Sequence, residues 1–317
     1  MLPAQCHRAD AESAPRPPGP GPQALAAQRD APAGWELLVI DNGSTPPLAF
    51  PEAPVPLRVV VEPRPGLLHA RLAGLNHSRG DVILFLDDDT IPHPGSLASL
   101  VEFTRRHPRV GVAGGRIHPQ FEAPPPPWID ACAWALALRN WGDAPLSWST
   151  AEGGALPAWS PIGAGLVVRR DVVATYAEHV ARHAATIERI SWHGQGVGGT
   201  EDKDLVLCVL RHGWAMGYVP GLVLEHVIPA GRLQPAYFER LVPNLQRLWM
   251  QTLFAHGFNR RPTVPPWSVP FRVLKAWFVF RAWRGLRERM DWWAARGSLA
   301  GLAAMHRRPV RYPPAMC

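Results

Sequence analysis

Three short stretches, Leu37-Leu38-Val39-Ile40, Leu57-Arg58-Val59-Val60-Val61 and Val82-Ile83-Leu84-Phe85-Leu86, are nearly continuous apolar runs with little alternation. Strands buried on both faces of a sheet read this way. Between the second and third, Pro65-Gly66 opens a stretch from Leu67 to Ser78 with Leu68, Leu72 and Leu75 at helical spacing, and Gly80 closes it. Strand, helix and strand in that order imply a right-handed parallel crossover, and hence an α/β domain with a mostly parallel sheet flanked by helices. The pattern continues with a helix from Gly95 to His107 and a strand from Val110 to Ala113. After an interruption come a strand over Gly165-Leu166-Val167-Val168, a helix from Glu201 to Arg211, a strand at Leu222-Val223-Leu224 and a helix over 233–257.

Three segments depart from the pattern. Residues 1–34 hold Pro15, Pro17, Pro18, Pro20 and Pro22, and only Ala24-Leu25-Ala26-Ala27 reads as helical, so most of this segment is expected to be poorly ordered. Residues 121–161 are rich in Pro and Trp and form an insertion in the domain. From Phe271 to Arg296, Trp277, Phe278, Phe280, Trp283, Trp292 and Trp293 alternate with Arg and Lys. Such a basic, aromatic segment can lie on an anionic membrane surface, or equally pack as a helix on the domain's flank. The expected organisation is therefore 1–34 as a Pro-rich lead, 35–241 as the α/β domain and 242–317 as a helical C-terminal extension.

Composition narrows the choice of function. The 317 residues carry 33 Lys+Arg against 26 Asp+Glu, a formal net charge of +7, with 47% hydrophobic residues, 36 Pro and 28 Gly. That composition excludes a collagen-like or wholly disordered chain. Cys6, Cys132, Cys208 and Cys317 lie far apart with no CxxC pair, so a zinc ribbon and a dense disulfide framework are both excluded and a reducing compartment is expected. No apolar run reaches the length of a membrane span, and the first residues lack the apolar core of a signal peptide, so the expected location is cytoplasmic, with peripheral contact at the inner face of the membrane through 271–296. No block of five Lys or Arg exists, which argues against nucleic acid; scattered Arg suits phosphate groups instead.

The strongest chemical signal is Asp87-Asp88-Asp89, directly after the apolar run that ends at Leu86. Open α/β sheets bind ligands at the carboxyl ends of their strands, and three adjacent carboxylates repel unless a cation joins them. Oxygen donors of this kind select Mg2+ or Mn2+. Asp41-Asn42-Gly43-Ser44 follows another buried run at the same sheet edge, although Asn-Gly alone is ordinary turn chemistry. Gly198-Gly199-Thr200-Glu201-Asp202-Lys203-Asp204 leads into a helix, and its acids also suit a helix dipole. Helical spacing puts Asp202 on the face of Val206 and Val209, toward the core, where it reads as a general base. His226 again ends a strand and is either a structural histidine or a further metal ligand.

Taken together these segments resemble the family-2 glycosyltransferases, inverting, nucleotide-sugar-dependent enzymes of the GT-A fold. The resemblance rests on Val39 to Ser44, Glu62 to Arg71, Phe85 to Asp89, Gly199 to Leu205 with Gly213-Trp214, and His226 to Leu233, in the family's order, and it covers about Trp35 to Leu241. It implies that Asp41 contacts the donor's nucleoside, and that Arg71 and Asp88 lie on the donor side. Asp87 and Asp89 match the family's DXD motif, which holds a divalent cation against the diphosphate, and His226 and Arg232 sit near metal and diphosphate. Asp202 matches the base that deprotonates the acceptor hydroxyl. The implied partners are a UDP- or GDP-type nucleotide sugar and a sugar or lipid-linked acceptor in glycan synthesis. Acceptor contacts are expected in the Trp-rich insertion, because aromatic faces stack on sugar rings.

One departure is expected to matter. The family begins with a strand that lies centrally in the sheet, and here the Pro-rich residues 1–23 stand in its place without a strand-like run. A truncated, mis-started or degenerate, non-catalytic chain would follow. A second alternative comes from Phe85 to Thr90, which also fits the Asp-x-Asp nucleophile of haloacid-dehalogenase-type phosphatases, with Ile91 against that motif.

Overall fold

The computed structural model describes residues 2–7, 21–48, 50, 55–153, 155–191 and 198–313. Among them nine strands form one sheet: β1 (Leu2–His7), β2 (Leu37–Asp41), β3 (Leu57–Val61), β4 (Val82–Asp87), β5 (Thr90–Pro92), β6 (Val110–Phe121), β7 (Leu146–Trp148), β8 (Val167–Arg169) and β9 (Ala215–Ile228). The order across the sheet is β3-β2-β1-β4-β8-β6-β9-β5, with β7 also paired to β9. The first four run parallel, β8 is antiparallel to both β4 and β6, and β6 and β9 are parallel. This is the mixed, mostly parallel sheet of a GT-A-type α/β fold, and its parallel half has the 3-2-1-4 order of a doubly wound sheet.

The helices are α1 (Gly21–Ala26), α2 (Leu67–His77), α3 (Ser96–Arg106), α4 (Val173–Ile190), α5 (Glu201–Arg211), α6 (Pro235–Ala255), α7 (Val269–Val279) and α8 (Leu286–Arg307). They cover both faces of the sheet, which is why the strands lack alternation. Leu38, Ile40, Ile83 and Phe85 join α2, α4 and α5 in one core, while Leu37, Val39, Leu84 and Leu86 join α1 and α3 in the other. Successive residues of a strand point to opposite faces, so each strand supplies both cores.

The expectation of a missing first strand is corrected. β1 lies between β2 and β4 and is parallel to both, with Ala4 opposite Leu38 on one side and Phe85 on the other. Pro3 hides it from pattern reading, since proline offers no N–H to a ladder and argues against a central strand. The case for an inactive chain built on that absence falls with it. Within the segment expected to be disordered, α1 is a formed helix with Leu25 buried, and residues 8–20 lie outside the described residues.

A helix absent from the sequence expectations, α4, carries Val173, Tyr176, Val180, Ile187 and Ile190 on its buried face. Toward the C-terminus, α6 runs unbroken through residue 241, the expected domain boundary, and α8 packs along it. The crossing is close: a Cβ on Gly297 would collide with the backbone of Pro243 in α6. The basic, aromatic tail therefore divides in two. Met290 and Trp293 of α8 are buried, whereas no residue of α7 is. No helix among the described residues is long and apolar enough to cross a membrane.

Candidate active site

A cavity of about 1480 Å³ opens over the carboxyl ends of the parallel strands. Asp87, Asp88 and Asp89 line it from the end of β4, Arg71 from α2, Glu201, Asp202 and Lys203 from the first turn of α5, and His226 and Arg232 from β9 and the turn beyond it. The insertion supplies one wall through Trp134, Leu136, Arg139, Trp148 and residues 155–158, and β7 ties that wall to β9 by pairing Leu146 with Tyr218. Of the expected site residues, all but Asp41 line this cavity.

Asp41 is 2% exposed, and its carboxylate accepts the N–H groups of Ser44 at 2.9 Å and Leu48 at 3.0 Å. Asp41 thus does not line the cavity, and its carboxylate is engaged by the loop that follows β2. A carboxylate at a strand end satisfies the amides of the turn that follows, and here it shapes the loop. Asn42 extends the effect. Its amide donates to the carbonyls of Glu62 and Arg64 and its oxygen accepts the N–H of Gly66, joining the loops after β2 and β3 just before α2 begins.

The acid cluster and His226 meet directly. His226 Nε2 and Arg232 Nη1 each lie 3.3 Å from Asp89 Oδ2, and His226 Nδ1 donates to the Leu136 carbonyl at 3.0 Å. Burial opposes a charge on His226, but the hydrogen bond and charge of Asp89 prevail and raise it above the ordinary histidine value. A backbone carbonyl on Nδ1 with Nε2 turned toward a carboxylate is the arrangement that orients metal-ligating histidines. The donor set of two or more carboxylates and one imidazole fits a small divalent cation such as Mn2+ or Mg2+.

Each acid in the first turn of α5 has a separate tertiary partner, beyond any general complement to the helix dipole. Glu201 holds Arg71 at 3.0 Å, with both buried. Asp204 faces away from the cavity into a cluster of His179, His256 and Tyr312. Asp202, expected toward the core, is half-buried at the cavity wall, where Oδ2 accepts the Gly163 N–H at 2.6 Å and Oδ1 the Lys203 N–H at 2.7 Å.

Three further lining residues are not among the expected site residues, although Lys203 lies within the motif at the start of α5. Lys203 donates to the carbonyls of Ser160 and Pro161, and burial pushes it down to about 8, against the pull of Asp202. Arg139 is lowered by burial, again opposed by Asp202. A Cβ on Gly163 would collide with the Arg71 guanidinium and reach 3.5 Å from Asp202. Only glycine lets the backbone pass between the arginine and the carboxylate.

The fold and the strand-end cavity define an α/β protein of the GT-A type. Residues 82–290, well over half of the chain, match the family model for "Glycosyl transferase family group 2", and residues 23–140 match "Glycosyl transferase family 2". The chain belongs to the family-2 glycosyltransferases. Among curated proteins it is similar to uncharacterized glycosyltransferases of Mycobacterium bovis and Mycobacterium tuberculosis, 40% identical over 80 residues, 25% of this chain. The match spans only about a third of those relatives' own length, 35%. Among solved structures, S. aureus TarS residues 1–349 aligns over 98% of this chain and 93% of that one at 13% identity and a TM-score of 0.48. The mannosyltransferase PcManGT from Pyrobaculum calidifontis, solved in complex with GDP-Man and Mn2+, aligns over 97% of this chain and 75% of that one at 17% identity and a TM-score of 0.48.

Proposed function

We propose that the chain transfers a sugar from a UDP- or GDP-type nucleotide sugar to the hydroxyl of a sugar or lipid-linked acceptor, with inversion at the anomeric carbon. The observation that carries this reading is the convergence of Asp87, Asp88, Asp89, His226 and Arg232 with Asp202 on one strand-end cavity in a member of this family.

In this reading Asp87, Asp89 and His226 hold a Mn2+ or Mg2+ ion. Once bound, the ion neutralises charge on the leaving diphosphate. Arg232 sits beside Asp89 and presents a guanidinium to the same phosphate oxygens. Arg71, fixed by Glu201, and Asp88 line the donor side. Asp41 acts indirectly, holding the loop against which the nucleoside packs. Asp202 accepts the acceptor's proton as its oxygen attacks, and the Gly163 and Lys203 amides aim the carboxylate. A positioned base of this kind contributes about 10²–10⁴-fold to rate. The Trp-bearing wall of residues 121–161 offers apolar faces for the acceptor, and within 271–296 the exposed α7 portion supplies contact with a membrane surface.

Asp202→Asn tests the assignment. Sugar transfer, or slow hydrolysis of the donor, is expected to fall about 10²–10⁴-fold with nucleotide affinity retained. Unchanged turnover in the variant would remove Asp202 from the chemistry.

A further inference from the structure

The outer face of α7 is exposed, and there the Phe278 ring meets the likewise exposed Trp283 ring with centroids 5.9 Å apart. Trp267, Phe271, Leu274 and Phe278 recur at the spacing of a single helical face and are 74%, 68%, 58% and 61% exposed. Seven of the eleven large hydrophobic residues exposed among the described residues fall between Trp267 and Trp283. Scattered exposed apolar residues are ordinary, but a contiguous aromatic stripe marks an interaction surface.

The opposite face shows why the stripe points outward. The Trp292 indole donates to the Val273 carbonyl at 3.1 Å, and Trp277 packs edge-on against Trp292 with ring centroids 4.8 Å apart. These contacts fix the rotation of α7 on α8 and leave Phe271 and Phe278 facing solvent.

Charge identifies the occupant. Between Glu239 and Glu288 the sequence contains no Asp or Glu and nine Arg and Lys, more positive charge than the whole chain's net +7. Arg272 and Lys275 lie beside the aromatic stripe, and Arg281 and Arg284 follow it, all exposed. Aromatic and aliphatic side chains flanked by cations are suited to insertion at the headgroup boundary of an anionic bilayer. A second copy of this chain would set these cations against each other.

We infer that the outer face of α7 docks on an anionic lipid surface. Arg260 and Arg261 line the cavity, and the six residues from Arg261 to Trp267 can span at most about 20 Å, so docking holds the cavity rim close to the bilayer. Its bearing on the acceptor rests on the proposed transferase reading and points to a substrate presented from the membrane; docking itself is independent of that reading.

The test is co-sedimentation of the full chain with phosphatidylcholine vesicles and with vesicles containing phosphatidylglycerol. Binding is expected only to the anionic vesicles and is expected to weaken with salt. Trp267→Ser/Phe271→Ser/Phe278→Ser should lose at least about tenfold in vesicle affinity, and Arg272→Glu/Lys275→Glu should abolish the lipid preference. Both variants should keep the wild-type fold by circular dichroism and the wild-type nucleotide titration, so a failed donor site and a failed docking face give different results. A folded wild-type chain that ignores anionic vesicles, a triple variant that binds them as well as wild type, or an oligomer that the triple variant dissociates would each overturn the inference.

Discussion

His256 Nε2 donates to Asp204 Oδ1 at 2.7 Å, joining the end of α6 to α5 with both side chains buried. The same carboxylate accepts from His179 Nε2 of α4 at 3.1 Å and from the Tyr312 hydroxyl at 3.2 Å. Asp204 is two residues from Asp202, so this cluster anchors the helix turn that presents the candidate base. Three elements and the C-terminal segment meet at one buried carboxylate.

Asp204→Ala is expected to destabilise the fold by about 3–5 kcal/mol, because three buried donors lose their acceptor together. Urea denaturation monitored by tryptophan fluorescence measures it. A loss below about 1 kcal/mol would mean the cluster is not a structural anchor.

The same cluster sets an acid limit on stability. Burial alone would raise the Asp204 carboxyl, but His256 and His179 together hold it well below the usual range. His256 is lowered by burial, which outweighs the attraction of Asp204; His179 and Arg211 add to the lowering. Its Nδ1 has no partner among the described residues, so a protonated ring would bury an unmatched N–H. His183, packed against His179 and Tyr312, is lowered as well, chiefly by burial. Each of these groups binds protons less readily folded than unfolded. Their contribution is therefore complete above the unfolded histidine value and declines as pH falls below about 6.5, with the carboxylate's share lost only in stronger acid. Thermal unfolding between pH 8 and pH 5 should show a falling midpoint that His256→Asn flattens; an unchanged slope in that variant would contradict this source.

Gly163→Ala is expected to reduce turnover at least about tenfold with little change in fold, because the new methyl displaces the Arg71 guanidinium and crowds Asp202. Steady-state kinetics beside a urea midpoint separates the two effects. Wild-type kinetics would show that Arg71 moves aside without consequence.

Local pattern and tertiary chemistry were unequally legible in the sequence. Buried parallel strands are continuous apolar runs, so β2 and β4 and the acids at the end of β4 are legible directly, whereas β3 is a strand as expected but lies at the sheet edge with none of its residues buried and Val61 65% exposed. β1 could not, because Pro3, Gln5 and His7 break the run and only its place between β2 and β4 identifies it. The orientation of Asp202 is not legible from helical spacing, because a residue in a helix's first turn faces whatever loop lies beyond the helix, here Gly163. The cluster around Asp204 joins residues 179, 204, 256 and 312, whose only relationship is through the fold. Likewise, the tail that reads as one basic, aromatic segment divides into an exposed α7 and a buried α8 according to which face meets α6.

The proposed transfer depends most on a metal-assisted donor site at Asp87, Asp89 and His226. Isothermal titration of UDP and GDP, each with and without Mn2+, on the wild-type chain and on Asp89→Ala tests it most directly. One nucleotide is expected to bind the wild-type chain only with Mn2+ present, and not to bind the variant. Failure of the folded wild-type chain to bind either nucleotide, or metal-independent binding that survives Asp89→Ala, would contradict such a site.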